Sequence, residues 1–117
     1  MEQRPPFGVE LLRPSDHAVI VQLKGELDIH SSVQFKEALL EGISEGATRI
    51  IVDLAKVTFI DSTALGVVAL AVRRIDDQGG TLDVVCGDEN ITRIFEITGM
   101  DRILQIYRSR DEALAAT

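Results

Sequence analysis

From residue 31 onward the chain alternates two kinds of apolar segment, and that alternation restricts the possible folds more than any other feature. Arg49-Ile50-Ile51-Val52-Asp53-Leu54 and Thr81-Leu82-Asp83-Val84-Val85-Cys86 are rich in β-branched residues and too short for helices, so they read as buried strands. Ile103 to Tyr107 reads as a last strand. Around and between these runs the spacing turns helical, in Phe35, Leu39, Leu40 and Ile43, in Leu65, Val68, Ala69, Val72 and Ile75, and in Ile91, Ile94, Phe95 and Thr98. Strands separated by helices pair in parallel, because the helix supplies the crossover that a parallel neighbour requires. Phe7 to Leu12 and His17 to Lys24 are two earlier strands joined by the turn formers Arg13-Pro14-Ser15-Asp16, so the sheet opens with a hairpin. The expected fold class is α/β, a mixed sheet of four to five strands with about four helices.

Capping signals set the boundaries. Ser31 and Gln34 fit a capping box, which starts the first helix near Ser32 and ends it near Glu45. The second helix begins near Ser62 and runs to Asp77 or Gln78, where Gly79-Gly80 stops it. Asp88 or Asn90 caps the third, Gly99 marks its end, and Ser109 to Ala116 forms a short terminal helix. Ala55 to Asp61 reads as a loop at the C-terminal end of a parallel strand, the rim where open α/β sheets bind their partners. At 117 residues the chain is one domain, 1–117, with a core from about 7 to 107 and no linker. Residues 1–6, with two prolines, and the Ala115-Ala116-Thr117 end read as loose.

Composition removes several functions. A net charge of −7 with scattered basic residues argues against direct nucleic-acid binding. The longest apolar run, Ala64 to Val72, falls far short of the roughly 20 residues that cross a bilayer, so membrane insertion is not expected and the cytoplasm is the expected location. A lone Cys86 rules out an internal disulfide and reads as a small hydrophobe at a strand end.

The residues that carry chemistry cluster in Phe59-Ile60-Asp61-Ser62-Thr63-Ala64-Leu65-Gly66, where an apolar segment gives way to a helix. Two readings compete there. Asp61 or Ser62 is a helix cap worth about 1 kcal/mol, or the exposed hydroxyl is a modification site at the positive end of a helix, where a phosphate is favoured. A serine hydrolase is not indicated, since no Gly-x-Ser-x-Gly elbow is present and His17 and His30 are the only histidines. Nor is there a phosphate-binding Gly-x-x-x-x-Gly-Lys-Ser/Thr loop or close metal-ligand spacing. Asp53 reads as a polar residue at a strand end and Asp61 as a cap, with orientation and binding roles rather than acid/base work.

The octamer resembles the signature of the STAS-domain anti-sigma factor antagonists, an Asp-Ser-Ser/Thr-Gly-Leu-Gly run in which the serine is phosphorylated. Lys24-Gly25-Glu26-Leu27-Asp28 is similar to the family's Gly-x-Leu-Asp element, and Ile94-Phe95-Glu96-Ile97-Thr98-Gly99-Met100 to its Leu-x-x-Gly-Leu segment. The resemblance runs from about Phe7 to Tyr107. Ala64 departs from it, standing where the best-known members have Gly.

The resemblance implies a single STAS-like domain that is not an enzyme and carries no cofactor or metal. It implies phosphorylation at Ser62, with Thr63 as second choice, and a partner surface drawn from Asp28, Asp61, Ser62, Thr63, Ala64, Leu65 and Gly66. In that family the loop Gly25 to His30 reaches the rim that carries Ser62. The implied partners are an anti-sigma factor that is also a serine kinase, using ATP and Mg²⁺, and a serine phosphatase that restores the switch. Unmodified protein would sequester the kinase and free a sigma factor. The alternative is a non-switching STAS structural subunit of a stressosome-like or lipid-transport complex, using the same helix face without modification of Ser62.

Overall fold

In a computed structural model of the chain, which describes residues 6–116, the strands form one mixed sheet. The ends expected to be loose lie, but for Pro6, Ala115 and Ala116, outside the described residues. β1 (Gly8–Leu12) and β2 (Ala18–Leu27) pair antiparallel, as a hairpin opening requires. β3 (Arg49–Ile60), β4 (Thr81–Val85) and β5 (Gln105–Tyr107) then follow in spatial order, each parallel to the one before. The helices are α1 (Ser31–Ser44), α2 (Ser62–Asp77), α3 (Glu89–Ile97) and α4 (Arg110–Ala115), with a single 3₁₀ turn at Met100–Arg102. Asp88 caps α3 through Asn90 and Ile91, and Ser109 caps α4 through Glu112.

Strand alternation sorts the sheet into two faces. Val19, Val21 and Leu23 of β2 enter the main core with Phe35, Leu39 and Ile43 of α1, Val68 and Ile75 of α2 and Phe95 of α3. Ile20 points the other way, into a small second cluster with Ile51, Val85 and Ala113 beneath α4. Each fully buried Leu, Ile or Phe contributes about 1.5–3 kcal/mol, so the main core dominates stability. Polar contacts also tie α4 to the sheet. Arg110 donates to Asp53 Oδ2 through Nε (3.1 Å) and Nη2 (2.8 Å), while Arg49 Nη2 lies 3.3 Å from Asp83 Oδ2 and 2.5 Å from the carbonyl oxygen of Ala113.

Four readings of the sequence change here. Asp53 is a buried mid-strand carboxylate rather than a strand-end polar residue, and its tolerance for burial comes from Arg110 and from the Ala55 N–H, 3.0 Å from Oδ1. The segment 55–60 is strand, not loop. It continues β3 against β2 through Lys24↔Lys56, Gly25↔Val57, Glu26↔Phe59 and Leu27↔Ile60, with register shifts on either side of Gly25. Gly25 sits at φ +90°, and a Cβ there would come within 3.1 Å of the Phe7 backbone, so glycine permits both the irregularity and the close approach. Likewise Gly25 to Leu27 belong to β2, leaving only 28–30 as loop, and Ile103 and Leu104 lie outside β5.

Candidate functional site

The long reach of β2 and β3 builds the site. Leu27 and Ile60 are register partners, and the Asp61 N–H donates to the Leu27 carbonyl oxygen at 3.1 Å. Asp28 and Asp61 therefore leave the sheet side by side, each at the entrance to a helix.

Asp61 is extended (φ −115°, ψ −178°) and caps α2, its Oδ1 accepting from Thr63 N (2.9 Å) and Ala64 N (3.2 Å). Its carbonyl oxygen accepts from Leu65 N at 3.2 Å. This decides between the two candidate caps. Ser62 is exposed, and among the described residues neither its hydroxyl nor its N–H has a hydrogen-bond partner. The one first-turn amide of α2 left open thus belongs to the residue whose hydroxyl is also free.

Asp28 plays the corresponding part for α1. Its Oδ1 accepts from His30 N (2.9 Å) and Ser31 N (3.0 Å). The Ser31 N–H, helped by that of His30 and by the Ser31 hydroxyl, holds the carboxyl below the ordinary carboxylate range against the opposing effect of desolvation. The expected Ser31–Gln34 capping box does not form. Ser31 is instead the first residue of α1, with its Oγ accepting from Asp28 N (2.9 Å) and donating to the Glu26 carbonyl oxygen (2.7 Å), so the carboxylate supplies the capping acceptor.

The expected site residues divide by exposure. Ser62, Thr63 and Gly66 are exposed and share the first turns of α2, with open space where a Gly66 side chain would stand. Asp28 and Asp61 are half-buried beside them. Ala64 and Leu65 face inward and are buried in the main core, so they support the turn rather than offer surface. The sequence reading missed three apolar residues near these rim positions: Ile29 (63% exposed) in the β2–α1 loop, Val33 (59%) in the first turn of α1, and Phe59 (47%) near the end of β3. Val33 lies off the apolar stripe of α1, and that was the available signal there; Ile29 in a loop and Phe59 in an aperiodic stretch of β3 offered none.

Electrostatically the site is acidic, with two carboxylates already engaged by backbone amides. Among the described residues no group of three His, Cys, Asp or Glu side chains is arranged to hold a metal, and no helix is long and apolar enough to cross a membrane. The geometry offers an accessible hydroxyl at a helix N-terminus, directly after the capping carboxylate of Asp61.

Known proteins share this fold. The STAS domain family model matches residues 11–113. The chain is 30% identical over 95 residues to the anti-sigma-B factor antagonist of Bacillus subtilis strain 168, an alignment that covers 81% of this chain and 86% of that one. An anti-sigma factor antagonist from Mycobacterium paratuberculosis has the same fold, with a TM-score of 0.86 at 22% identity over 95% of this chain and 93% of the other. So does the Bacillus cell fate determinant SpoIIAA in its phosphorylated form, with a TM-score of 0.74 at 23% identity over 92% and 97% of the two chains. The match over nearly the whole sheet and its helices, with the aspartate-capped Ser62 turn inside it, means that this chain belongs to the STAS domain family.

Proposed function

We propose that this protein is an anti-sigma factor antagonist whose binding to a serine-kinase anti-sigma factor is controlled by phosphorylation of Ser62. In this reading the unmodified chain occupies the anti-sigma factor and frees a sigma factor, and the kinase transfers the γ-phosphoryl group of ATP·Mg²⁺ to Ser62. A serine phosphatase reverses the step. The chain is substrate and switch rather than catalyst, and it acts in the cytoplasm.

The observation that carries this reading is the division of labour between Asp61 and Ser62. Because Asp61 caps α2, the Ser62 hydroxyl is exposed and has no partner among the described residues, so modification breaks no described hydrogen bond. The adjacent open N–H and the positive helix end accommodate a phosphate in the free protein. At an interface the same phosphate brings roughly −1.5 to −2 charges beside Asp61 and Asp28, adding repulsion and desolvation. A local charge change then separates two bound states without refolding.

The test is phosphosite mapping by mass spectrometry after incubation with the host's serine-kinase anti-sigma factors and ATP·Mg²⁺, with Ser62→Ala in parallel. The expected result is one phosphoryl group on Ser62 and none on the variant. Labelling of the variant at Thr63, or a stable complex with no labelling, overturns the assignment.

A further inference from the structure

We propose that the free edge of β1, with the groove it forms against α1, is a docking site where an extended, arginine- or lysine-rich segment of a protein partner adds to the sheet as a further strand. This surface is distinct from the Ser62 turn.

The strand itself is the first argument. β1 lies at one end of the sheet order and, among the described residues, pairs only with β2, in an unbroken register from Gly8↔Lys24 to Leu12↔Ile20. Among the described residues nothing hydrogen-bonds to its other side. Exposed edges are protected by shortness, by charged side chains, or by a bulge, a proline or an inward-pointing charge. β1 is five residues long with one outward charge, Glu10, and relies on the first two alone. Of the last three it has none, since its sequence is Gly-Val-Glu-Leu-Leu and its inward residues are Val9 and Leu11. An edge with open donors and acceptors over five residues accepts about 17 Å of added strand.

The second argument is what lies alongside. Val9 and Leu11, both half-buried, continue into Leu40 of α1 to form an apolar floor. Glu37 and Glu41 of α1 border that floor, and Glu10 projects from the opposite face of β1. None of these three carboxylates forms an ion pair among the described residues. Arg13, just beyond the strand, is engaged by Glu45, with Nε 2.7 Å from Oε1, and also interacts electrostatically with Glu41. Lys24 and Lys56 line the face that carries Glu10, so the acidic border to be matched is the one on α1.

These features choose the occupant. Alternate side chains of an added strand enter the groove, where an aliphatic stem ending in a cation satisfies both the apolar floor and the acidic border. The intervening side chains fall on the face shared by Glu10, Lys24 and Lys56, where uncharged residues suffice. A second copy fits poorly, because pairing β1 with β1 would bring two sets of unpaired carboxylates together on chains that each carry −7. A basic extended segment matches backbone, floor and charge together.

The test uses the full chain, ¹⁵N-labelled, and an end-blocked heptapeptide, Thr-Arg-Val-Arg-Val-Arg-Thr, monitored by NMR titration and amide hydrogen exchange. The expected result is slowed exchange at β1 amides and shifts confined to β1 and the facing side of α1. A peptide N-methylated at its edge-pairing positions keeps the charge and cannot pair, and is expected to bind at least tenfold more weakly. The exposed double variant Glu37→Lys, Glu41→Lys should lose binding to a similar extent while its unliganded spectrum stays that of a folded protein. Equal binding of the N-methylated peptide, shifts located elsewhere, no binding, or dimerisation of the free protein through β1 each overturns the proposal.

Discussion

Asp28 and Asp61 are matched residues on neighbouring strands: each directly follows one of the register partners Leu27 and Ile60, and each accepts through Oδ1 the amides two and three positions further on. Two helices thus start from one rim under the control of two adjacent carboxylates, and Ser62 follows the second of them. The arrangement separates the tasks of holding the turn and presenting the hydroxyl.

Replacing Asp61 separates its two properties. Asp61→Ala removes both capping bonds and should cost about 1 kcal/mol in urea denaturation, whereas Asp61→Asn keeps the acceptor and should cost a few tenths. Asp61→Asn also removes the charge next to Ser62. Under the proposed function it should therefore reduce the binding penalty caused by Ser62→Glu, measured by calorimetry with the kinase. An undiminished penalty would assign the repulsion to another group.

Asp28 predicts a pH dependence with a definite sign. Its carboxyl is held below the ordinary range in the folded chain, chiefly by the Ser31 N–H. A depressed folded value contributes stability that is fully present above the unfolded carboxylate pKa and is lost as pH falls through the folded value. Asn at this position retains the acceptor without the charge. The stability advantage of the wild type over Asp28→Asn should be largest near neutrality and shrink below the ordinary carboxylate range. Glu45, depressed through Arg13, is common to both proteins and cancels from the comparison. Urea denaturation from neutral to acid pH reads the difference, and a constant gap would reject the charge-based account.

The Asp53–Arg110 pair anchors α4 and gives a double-mutant cycle. Asp53 is 3% exposed, so Arg110→Ala leaves a nearly buried carboxylate without its cation. Losing one partner of a buried pair typically costs about 3–5 kcal/mol. Because the Arg110 side chain is 34% exposed, roughly 2 kcal/mol is the better expectation here. In an Asp53→Asn background the same substitution should cost much less, and denaturation of the four proteins measures the coupling. Additive costs would show that α4 is held by the contact of Ala113 with Ile20, Ile51 and Val85 instead.

What the sequence revealed and concealed follows from these same residues. The alternation after residue 31, the glycines closing α2 and the aspartate caps were readable because each is a local signal. The outer half of β3 was not. Its burial follows no period of two, because register shifts beside Gly25 leave Ala55, Lys56, Thr58 and Phe59 exposed and bury Val57 and Ile60. Nor did the Ser31–Gln34 spacing reveal that the Asp28 carboxylate would take the Ser31 amide first. The Asp53–Arg110 contact joins residues 57 positions apart, and only the topology brings them together. At the candidate site the residues themselves pointed to Asp61 and Ser62, Asp28 came only from the family resemblance, and the inward direction of Ala64 and Leu65 needed the fold.

Ala64 allows the family departure to be tested directly. Its methyl is fully buried in the main core, two residues into α2 beyond Ser62. Ala64→Gly loses helix propensity worth up to about 1 kcal/mol and a buried methyl worth a further ~0.8 kcal/mol. A destabilisation of roughly 1–2 kcal/mol in urea is expected, with Ser62 labelling by the kinase unchanged because the hydroxyl is untouched. A gain in stability would mean that the methyl strains the turn.

Ser62 itself should separate stability from binding more cleanly than any other position. Since its hydroxyl has no partner among the described residues, Ser62→Ala should change folding stability by less than about 0.5 kcal/mol. The same variant should bind the kinase as the unmodified protein does and resist release by ATP. Phosphorylation adds a near-dianion next to the Asp61 carboxylate, on the rim that also carries Asp28, and under the proposed function a loss of roughly 3–4 kcal/mol corresponds to weakening by a hundredfold to nearly a thousandfold. Ser62→Glu, with one charge and a different shape, should fall between these limits. Calorimetric titration of the kinase with the wild type, both variants and the phosphorylated chain gives the order directly. Equal affinities across the four proteins would contradict an electrostatic switch at this turn, and a stability loss in Ser62→Ala would contradict the assignment of the cap to Asp61.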